Sequence, residues 1–177
     1  MRRIRYSVAM SLDSYIAGPN GEIDWILMDP DIDFGELMGR FDTALMGRLT
    51  FEAASAQEGG GSLPGMKVCV VSSTLQQEDY PDVTIICDGL EEAVSRIKAE
   101  PGKDIWLFGG GLLFRSMLAA GLVDVVEVAV IPVLIGSGKP LLPSPGPRAP
   151  LRLTESRVYE KTGTILLEYA VEKTGQQ

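Results

Sequence analysis

Three times in this chain an apolar run breaks off into small, donor-rich residues: Met46-Gly47-Arg48-Leu49-Thr50-Phe51-Glu52, Val70-Val71-Ser72-Ser73-Thr74 and Trp106-Leu107-Phe108-Gly109-Gly110-Gly111. Each reads as the end of a buried strand, and two of the three pass on into a helical pattern. A strand that ends where a helix begins is half of a strand–helix–strand unit. Such units impose a parallel sheet with helices laid over its faces. They also leave free backbone N–H groups and the positive end of a helix dipole at the strand ends. That is a seat for phosphate, and three such ends in one chain point to a ligand with several phosphates, of the dinucleotide kind.

The rest of the chain fits the same plan. Ile4 to Leu12 reads as a buried strand, and Asp13 to Gly21 has turn chemistry. Phe34, Leu37, Met38 and Phe41 recur at helical spacing, with Asp33 placed to cap the helix. Thr43 to Met46 is a short strand, and Arg48 to Ala56 a second helix. Gln57 to Leu63, with three consecutive glycines (Gly59 to Gly61), reads as a mobile loop. Met66 to Val71 and Val83 to Cys87 are continuous apolar strands, as in a parallel sheet covered on both faces. Leu90, Val94 and Ile97 mark a helix, Asp104 to Phe108 a strand, Gly111 to Ala120 a helix and Val125 to Ile131 a strand. A glycine-rich loop (Ile135 to Gly138) and a proline-rich loop (Pro143 to Pro150) follow. Leu151 to Tyr159 and Thr164 to Val171 then form an antiparallel hairpin around Thr162-Gly163. The expected fold is a single α/β domain over residues 1–172, with a mixed sheet of about eight mostly parallel strands and about four helices. Residues 173–177 are expected to be a disordered tail.

Composition narrows the chemistry. The 177 residues carry a net charge of −8, which argues against nonspecific nucleic-acid binding and against docking on anionic lipid. An anionic cofactor is still compatible, because salt screens distant charge. There is no histidine, which removes the Ser-His-Asp triad, histidine bases and histidine metal ligands together. Cys69 and Cys87 sit in apolar runs and read as buried free thiols, without a CxxC motif. The basic start (Met1 to Arg5) lacks the cleavage pattern of a signal peptide, and the apolar run Val128 to Gly136 is too short to span a bilayer. The expectation is a cytoplasmic protein.

The donor-rich stretches each have a plain reading as well. Gly109 to Gly111 serve either as a strand-to-helix turn or as a surface that lets a pyrophosphate reach the helix amides. The spacing is not the G-x-G-x-x-G of a Rossmann turn. Arg48 at a helix start opposes the dipole, which makes sense with an anion between them. Thr50 would add a hydroxyl or cap the helix. Ser72 and Ser73 either end a strand or hold a ribose phosphate.

Taken in order, Met46 to Glu52 (MGRLTFE), Val71 to Thr74 (VSST) and Phe108 to Phe114 (FGGGLLF) resemble the dihydrofolate reductase superfamily. Ser7 to Gly18 (SVAMSLDSYIAG) resembles its opening strand. The Ser11-Leu12-Asp13 turn and Val130 to Leu141 (VIPVLIGSGKPL) are more similar to the reductase domain of bacterial riboflavin biosynthesis, the RibD C-terminal type. The likeness covers nearly the whole chain. It implies a three-layer dihydrofolate reductase-like fold and an NADPH site. Gly47, Arg48, Leu49 and Thr50 would hold the pyrophosphate region, and Ser72, Ser73 and Thr74 the adenosine ribose with its extra phosphate. Gly109, Gly110, Gly111, Leu112 and Leu113 would line the pyrophosphate and nicotinamide ribose. Ala9 and Ile16 would lie against the nicotinamide. Donors at Arg48 and Ser72-Ser73 favour NADPH over NADH.

The likeness is weaker at the substrate end. Folate reductases carry a carboxylic residue on the first helix. Asp29, Asp31 and Asp33 compete for that role here, and Asp31 is the candidate catalytic acid, set against a plain turn-and-cap reading. Asp13, Trp25 and Phe34 are the candidate substrate contacts. Spacing favours core for Phe34 and leaves Trp25 open between core and stacking. No basic residue is assignable to a folate-tail pocket. The zinc deaminase domain often joined to riboflavin-type reductases has no counterpart here, and no metal is expected. The expected activity is NADPH-dependent hydride transfer to a C=N or C=O of a small heterocyclic, pterin- or pyrimidine-like substrate. Narrower readings are 5-amino-6-(5-phosphoribosylamino)uracil reductase and dihydrofolate reductase proper. The rival of another class is an NADPH-binding protein without turnover. The resemblance also implies a homodimer.

Overall fold

The computed structural model describes residues 1–56 and 63–172. Most of the expected glycine-rich loop (57–62) and the expected tail (173–177) lie outside the described residues. In chain order the elements are β1 (Ile4–Ser11), β2 (Tyr15–Ala17), α1 (Phe34–Gly39), β3 (Phe41–Gly47), α2 (Arg48–Ser55), β4 (Lys67–Val71) and a single 3-10 turn at Gln77–Asp79. There follow β5 (Thr84–Ile86), α3 (Leu90–Ala99), β6 (Asp104–Gly109), α4 (Gly111–Ala119), β7 (Val125–Ile131), β8 (Lys139–Pro140), β9 (Leu151–Tyr159) and β10 (Thr164–Val171).

Eight strands form one sheet in the order β5-β4-β3-β6-β1-β7-β10-β9. The first six run parallel, while β10 pairs antiparallel with β7 and β9 antiparallel with β10. The two-residue period of a strand sorts the side chains onto two faces. Ile4 and Tyr6 of β1, Ile105 and Leu107 of β6, and Val126 and Val128 of β7 pack on one face against Val94, Ile97, Leu113, Phe114 and Met117 of α3 and α4. Each of these side chains contributes about 1.5–3 kcal/mol when fully buried. Tyr6 stacks on Phe114 with ring centroids 3.9 Å apart, and burial pushes its phenol pKa up. On the other face Ala44, Met46, Val68 and Val70 pack against Phe51 of α2. The arrangement is helices, sheet and helices, the expected three layers.

The middle of that second face is different. Here β1, β7 and β10 present Arg5, Ser7, Glu127 and Glu168, and the helix above them, α1, buries none of its residues. Asp33 caps α1, accepting from Glu36 N at 2.9 Å, as its position before the helix suggested. The helix ends after six residues at Gly39 and covers only part of the sheet, leaving a hollow beneath it.

Phe41, read with the helix by its spacing, instead opens β3, since α1 stops at Gly39. Two further features depart from the sequence reading. The β2–β8 ribbon was not expected, because segments of two or three residues carry no periodicity. Tertiary contacts make it. The Asp13 carboxylate accepts from Ser11 Oγ (2.6 Å), Ile135 N (3.2 Å) and Gly136 N (2.7 Å), which brings the two loops together. A Cβ on Gly138 would overlap the Ala17 carbonyl oxygen. Cys87 is exposed rather than buried, because β5 stops at Ile86 and the thiol lies beyond the strand, whereas Cys69 is buried as expected. No helix among the described residues is long and apolar enough to cross a membrane.

Candidate active site

Two neighbouring parallel strands, β3 and β6, lead into helices on opposite faces of the sheet. Helix α2 follows β3 and packs through Phe51 on one side, while α4 follows β6 and packs through Leu113, Phe114 and Met117 on the other. Such a divergence opens a crevice at the carboxyl ends of the strands. Both helices start there, after Gly47 and Gly110, and neither start carries a side-chain cap. Their first backbone N–H groups have no intrahelical acceptor.

The glycines at this edge are dictated by crowding. A Cβ on Gly110 would lie 3.1 Å from Thr50 Oγ1, and one on Gly111 would lie 3.0 Å from both the Pro140 carbonyl oxygen and Pro143 Cδ. Gly109 adopts φ +143°, a conformation that favours glycine. The hollow beside them has a volume of about 1040 Å³, above most small-molecule sites and large enough for an extended ligand. It runs from these helix starts past β1 to the space under α1.

The cavity gathers eight of the sequence-predicted residues: Ala9 and Ile16 in its middle, Leu49, Thr50, Gly109, Gly111 and Leu112 at the helix-start end, and Phe34 under α1. Phe34 is a correction to the core assignment. It is 38% exposed, because the face its helical spacing identified looks onto the hollow instead of packed side chains. Gly47 and Gly110 are the helix caps at the same edge.

The remaining predicted residues are placed elsewhere. Leu113 is in the core, on the buried face of α4. Arg48 is half exposed and donates to both carboxylate oxygens of Glu52 at 2.8 and 2.9 Å, so the cation is held on its own helix. Ser72 is buried, and its Oγ accepts from Thr74 N (3.2 Å) and Leu75 N (3.1 Å), closing a turn after β4. Ser73 and Thr74 are exposed on that turn, one strand away from Gly47.

At the substrate end three assignments are corrected. Asp31 is exposed and pairs with Lys161 Nζ at 2.6 Å outside the cavity. Asp13 clasps the 135–136 backbone, and the Ser11 hydroxyl together with those two N–H groups holds its carboxyl below the usual range. Trp25 donates its indole N–H to the Glu22 carbonyl at 3.1 Å and does not line the cavity. Asp29, the buried aspartate of this segment, accepts from Asp31 N, Thr162 N and Thr162 Oγ1 at 2.9–3.0 Å and ties the segment to the β9–β10 turn. Burial works against its charge, but these bonds hold its carboxyl below the usual value.

Of the side chains that make the cavity polar under α1, Asp33 was weighed from the sequence and the others were missed. Ser7, Glu127 and Arg40 line it under α1, together with Trp106 and Phe108. Glu127 is 1% exposed; its Oε1 accepts from Arg40 Nη2 at 2.7 Å and from Ser7 Oγ at 3.2 Å. Behind it, Arg5 donates to Asp104 (2.7 Å) and Glu168 (2.7 Å). Burial opposes the charge on both of these carboxylates, yet Arg5 keeps their pKa values below the ordinary range. The signal was present: Val125 to Ile131 reads VVEVAVI, and a lone acid in a buried strand is the informative exception.

The comparisons agree with this geometry. The family model of the RibD C-terminal domain matches residues 2–166. The chain belongs to the RibD C-terminal domain family. This RibD C-terminal domain is 35% identical over 178 residues to the uncharacterized protein YyaP of Bacillus subtilis (strain 168), covering 95% of this chain and 94% of that one. A Shewanella sp. PV-4 protein whose name places it in riboflavin biosynthesis superposes with TM-score 0.82 and 25% identity, over 98% of this chain and 100% of its own. Dihydrofolate reductase from Enterococcus faecalis, solved with NADP(H), shares the fold with TM-score 0.69 at 19% identity, over 97% of each chain. The RibD C-terminal domain described here is therefore a reductase-like domain with a dihydrofolate reductase-like fold.

Proposed function

We propose that this protein is an NADPH-dependent reductase that delivers hydride to a C=N or C=O of a small, flat nitrogen heterocycle. The observation that carries the reading is the pair of uncapped helix starts, α2 and α4, opening side by side into one long cavity. The residues present fit the cofactor. Two sets of free N–H groups and two dipoles suit a pyrophosphate, and Gly110 and Gly111 stand where a side chain would crowd the cradle. When bound, NADPH supplies the hydride.

The chain supplies position and exclusion of water. Gly47, Thr50, Gly110 and Gly111 hold the phosphates, and Ala9 and Ile16 give an apolar, close surface for the nicotinamide. Arg48 and the exposed Ser73 and Thr74 sit at the end where the extra phosphate of NADPH needs donors, and Arg48 serves there once it releases Glu52. Ser7, Arg40 and Glu127 form the polar end for the substrate. With Asp31 outside the cavity, the proton that completes reduction comes from water.

Support for the cofactor also comes from the NADP(H) in the Enterococcus faecalis enzyme of the same fold. The test is loss of NADPH absorbance with a panel of dihydropterins, dihydrofolate and aminopyrimidinones. Turnover of any member supports the reading. Tight NADPH binding with no turnover across the panel would favour a binding protein instead.

We also propose a homodimer along β9. This edge strand is nine residues long, exposed at every position but Tyr159, and carries Leu151, Leu153 and Val158 outward. An open apolar edge of that length calls for cover. Light scattering after size exclusion tests it, and a monomer mass at micromolar concentration would contradict it.

A further inference from the structure

We propose that the substrate carries an uncharged, apolar substituent beside its reducible ring, and that the cavity discriminates against a phosphate or carboxylate at that place. This rests on the reductase reading and deepens it by naming the substrate class.

The strap of chain from Ile23 to Met28 is held along the cavity by ties on either side. Ahead of it, Gly18 N donates to the Glu22 carbonyl at 2.8 Å, and the Glu22 carboxylate accepts from Asn20 N (2.9 Å) and Asn20 Nδ2 (2.7 Å). Behind it, the buried Asp29 accepts from Thr162 N and Thr162 Oγ1 on the β9–β10 turn. Within it, the indole N–H of Trp25 reaches back to the Glu22 carbonyl. Ile23, Leu27 and Met28 line the cavity, yet they are 52%, 57% and 60% exposed. Phe34 of α1, also exposed, lines it too. A single exposed apolar side chain needs no explanation, but several around one ligand-sized hollow mark where a ligand covers them. Every CH2 of a ligand laid against them leaves water favourably.

The charges decide what that group is not. Among the described residues, the cations that line the cavity are Arg40, Lys139 and Arg157. Arg40 donates to Glu127 at 2.7 Å. Lys139 faces Glu22, whose carboxyl is held below the usual range by its hydrogen bonds with Asn20 and, more weakly, by this lysine. Arg157 lies over the Tyr159 ring, 4.8 Å from its centroid, two positions along β9 from Glu155, which lines the cavity beside it. Each cation already has a carboxylate for company, and Asp33 and Glu36 add two more to the lining. A phosphate or carboxylate tail would leave water with no free cation to meet it. An uncharged alkyl group meets no such cost and covers the strap. Dihydrofolate and a phosphoribosylated pyrimidine, both anionic at the tail, are disfavoured as substrates on this count.

The test uses three pterins that differ only at C6, carrying a methyl, a butyl or a 3-carboxypropyl group. Each is titrated calorimetrically against the whole chain loaded with NADP+, so that no turnover intervenes. The butyl compound is expected to bind the wild type at least tenfold tighter than either of the others. Leu27→Ser combined with Met28→Ser removes apolar surface at two exposed positions and is expected to bring the butyl compound down to the methyl one. Met28→Lys puts a free cation on the strap and is expected to raise affinity for the carboxypropyl compound at least fivefold. Equal binding of the butyl and methyl compounds by the wild type, carboxypropyl binding as tight as butyl, or no binding of any of the three would each overturn the proposal. So would a butyl preference that survives the double serine variant. The wild-type comparison decides the matter even if a variant fails to fold. Failure of the wild type to bind NADPH or NADP+ refutes the reductase reading itself, whereas cofactor binding without the butyl preference refutes only the apolar substituent.

Discussion

Gly111→Ala tests the cradle at its tightest point. The new Cβ would sit 3.0 Å from the Pro140 carbonyl oxygen and from Pro143 Cδ, and 3.1 Å from Pro143 Cγ. None of these atoms belongs to a side chain that can swing away, so the 140–143 segment must move. Overpacking of this kind costs about 1–3 kcal/mol, and the stiffer unfolded chain returns about 0.4–1 kcal/mol. The net loss is about 1–2 kcal/mol, or roughly 2–8 °C in Tm for a chain of this size. Because Pro140 and Pro143 also line the cavity, the shift moves its wall, and NADPH affinity is expected to fall at least tenfold, about 1.4 kcal/mol. Gly39→Ala is the control. A Cβ there meets nothing within 4 Å and the residue ends α1, so Tm should rise slightly, by about 0.5–1 kcal/mol of stability. Differential scanning calorimetry and a cofactor titration on both variants make the comparison. A Gly111→Ala protein with wild-type Tm and wild-type NADPH affinity would refute the claim that crowding dictates this glycine.

Other expectations follow from the buried charges and the corrected residues. Arg5→Met removes the cation shared by the partly buried Asp104 and Glu168 and facing the buried Glu127, and is expected to cost about 3 kcal/mol in urea unfolding, because it strands these carboxylates; a loss under 1 kcal/mol would contradict it. Asp104 and Glu168 have depressed pKa values in the folded state, so the unfolded chain binds more protons in acid. Their stabilisation is complete above about pH 5 and is lost as pH falls through the folded values; urea midpoints that stay level from pH 7 to pH 3 would be the contrary result. Asp31→Ala breaks an exposed, solvent-screened pair with Lys161 and should leave both stability and turnover unchanged, whereas a large fall in kcat would restore it as the acid. A thiol reagent should modify exposed Cys87 at once and buried Cys69, whose thiol pKa burial pushes up, only on unfolding.

The parallel sheet was legible because its strands are buried on both faces: Val68 to Val71 reads as an unbroken apolar run, and Val125 to Ile131 is interrupted by Glu127 alone. Helix α1 was legible from Phe34, Leu37 and Met38, but spacing tells which face turns inward and not whether side chains or a hollow lie beneath. That is why Phe34 was assigned to the core. Arg48 was read from its position against the dipole, and the nearer competitor one turn later, Glu52, holds it in the structure. The polar end of the cavity was the least legible part. Glu127 meets Ser7, Arg40, Arg5 and Glu168 only when β1, β7 and β10 come side by side, and those residues are 41 to 122 positions from it in the sequence. The aspartates at 29, 31 and 33 drew attention because they are adjacent in sequence. Each is taken up by a turn, a surface pair or a helix cap.

The central claim is that the α2 and α4 starts hold the phosphates of NADPH. Trp106 lines the same cavity, so energy transfer from tryptophan to the reduced nicotinamide reports binding directly. Titration with NADPH and NADH, on wild type and Arg48→Ala, is expected to give a micromolar Kd for NADPH with the wild type, about −8 kcal/mol. NADH, and NADPH with Arg48→Ala, should each bind at least tenfold more weakly. Equal, millimolar binding of both nucleotides would mean that these glycines are turns and nothing more, and would contradict the account.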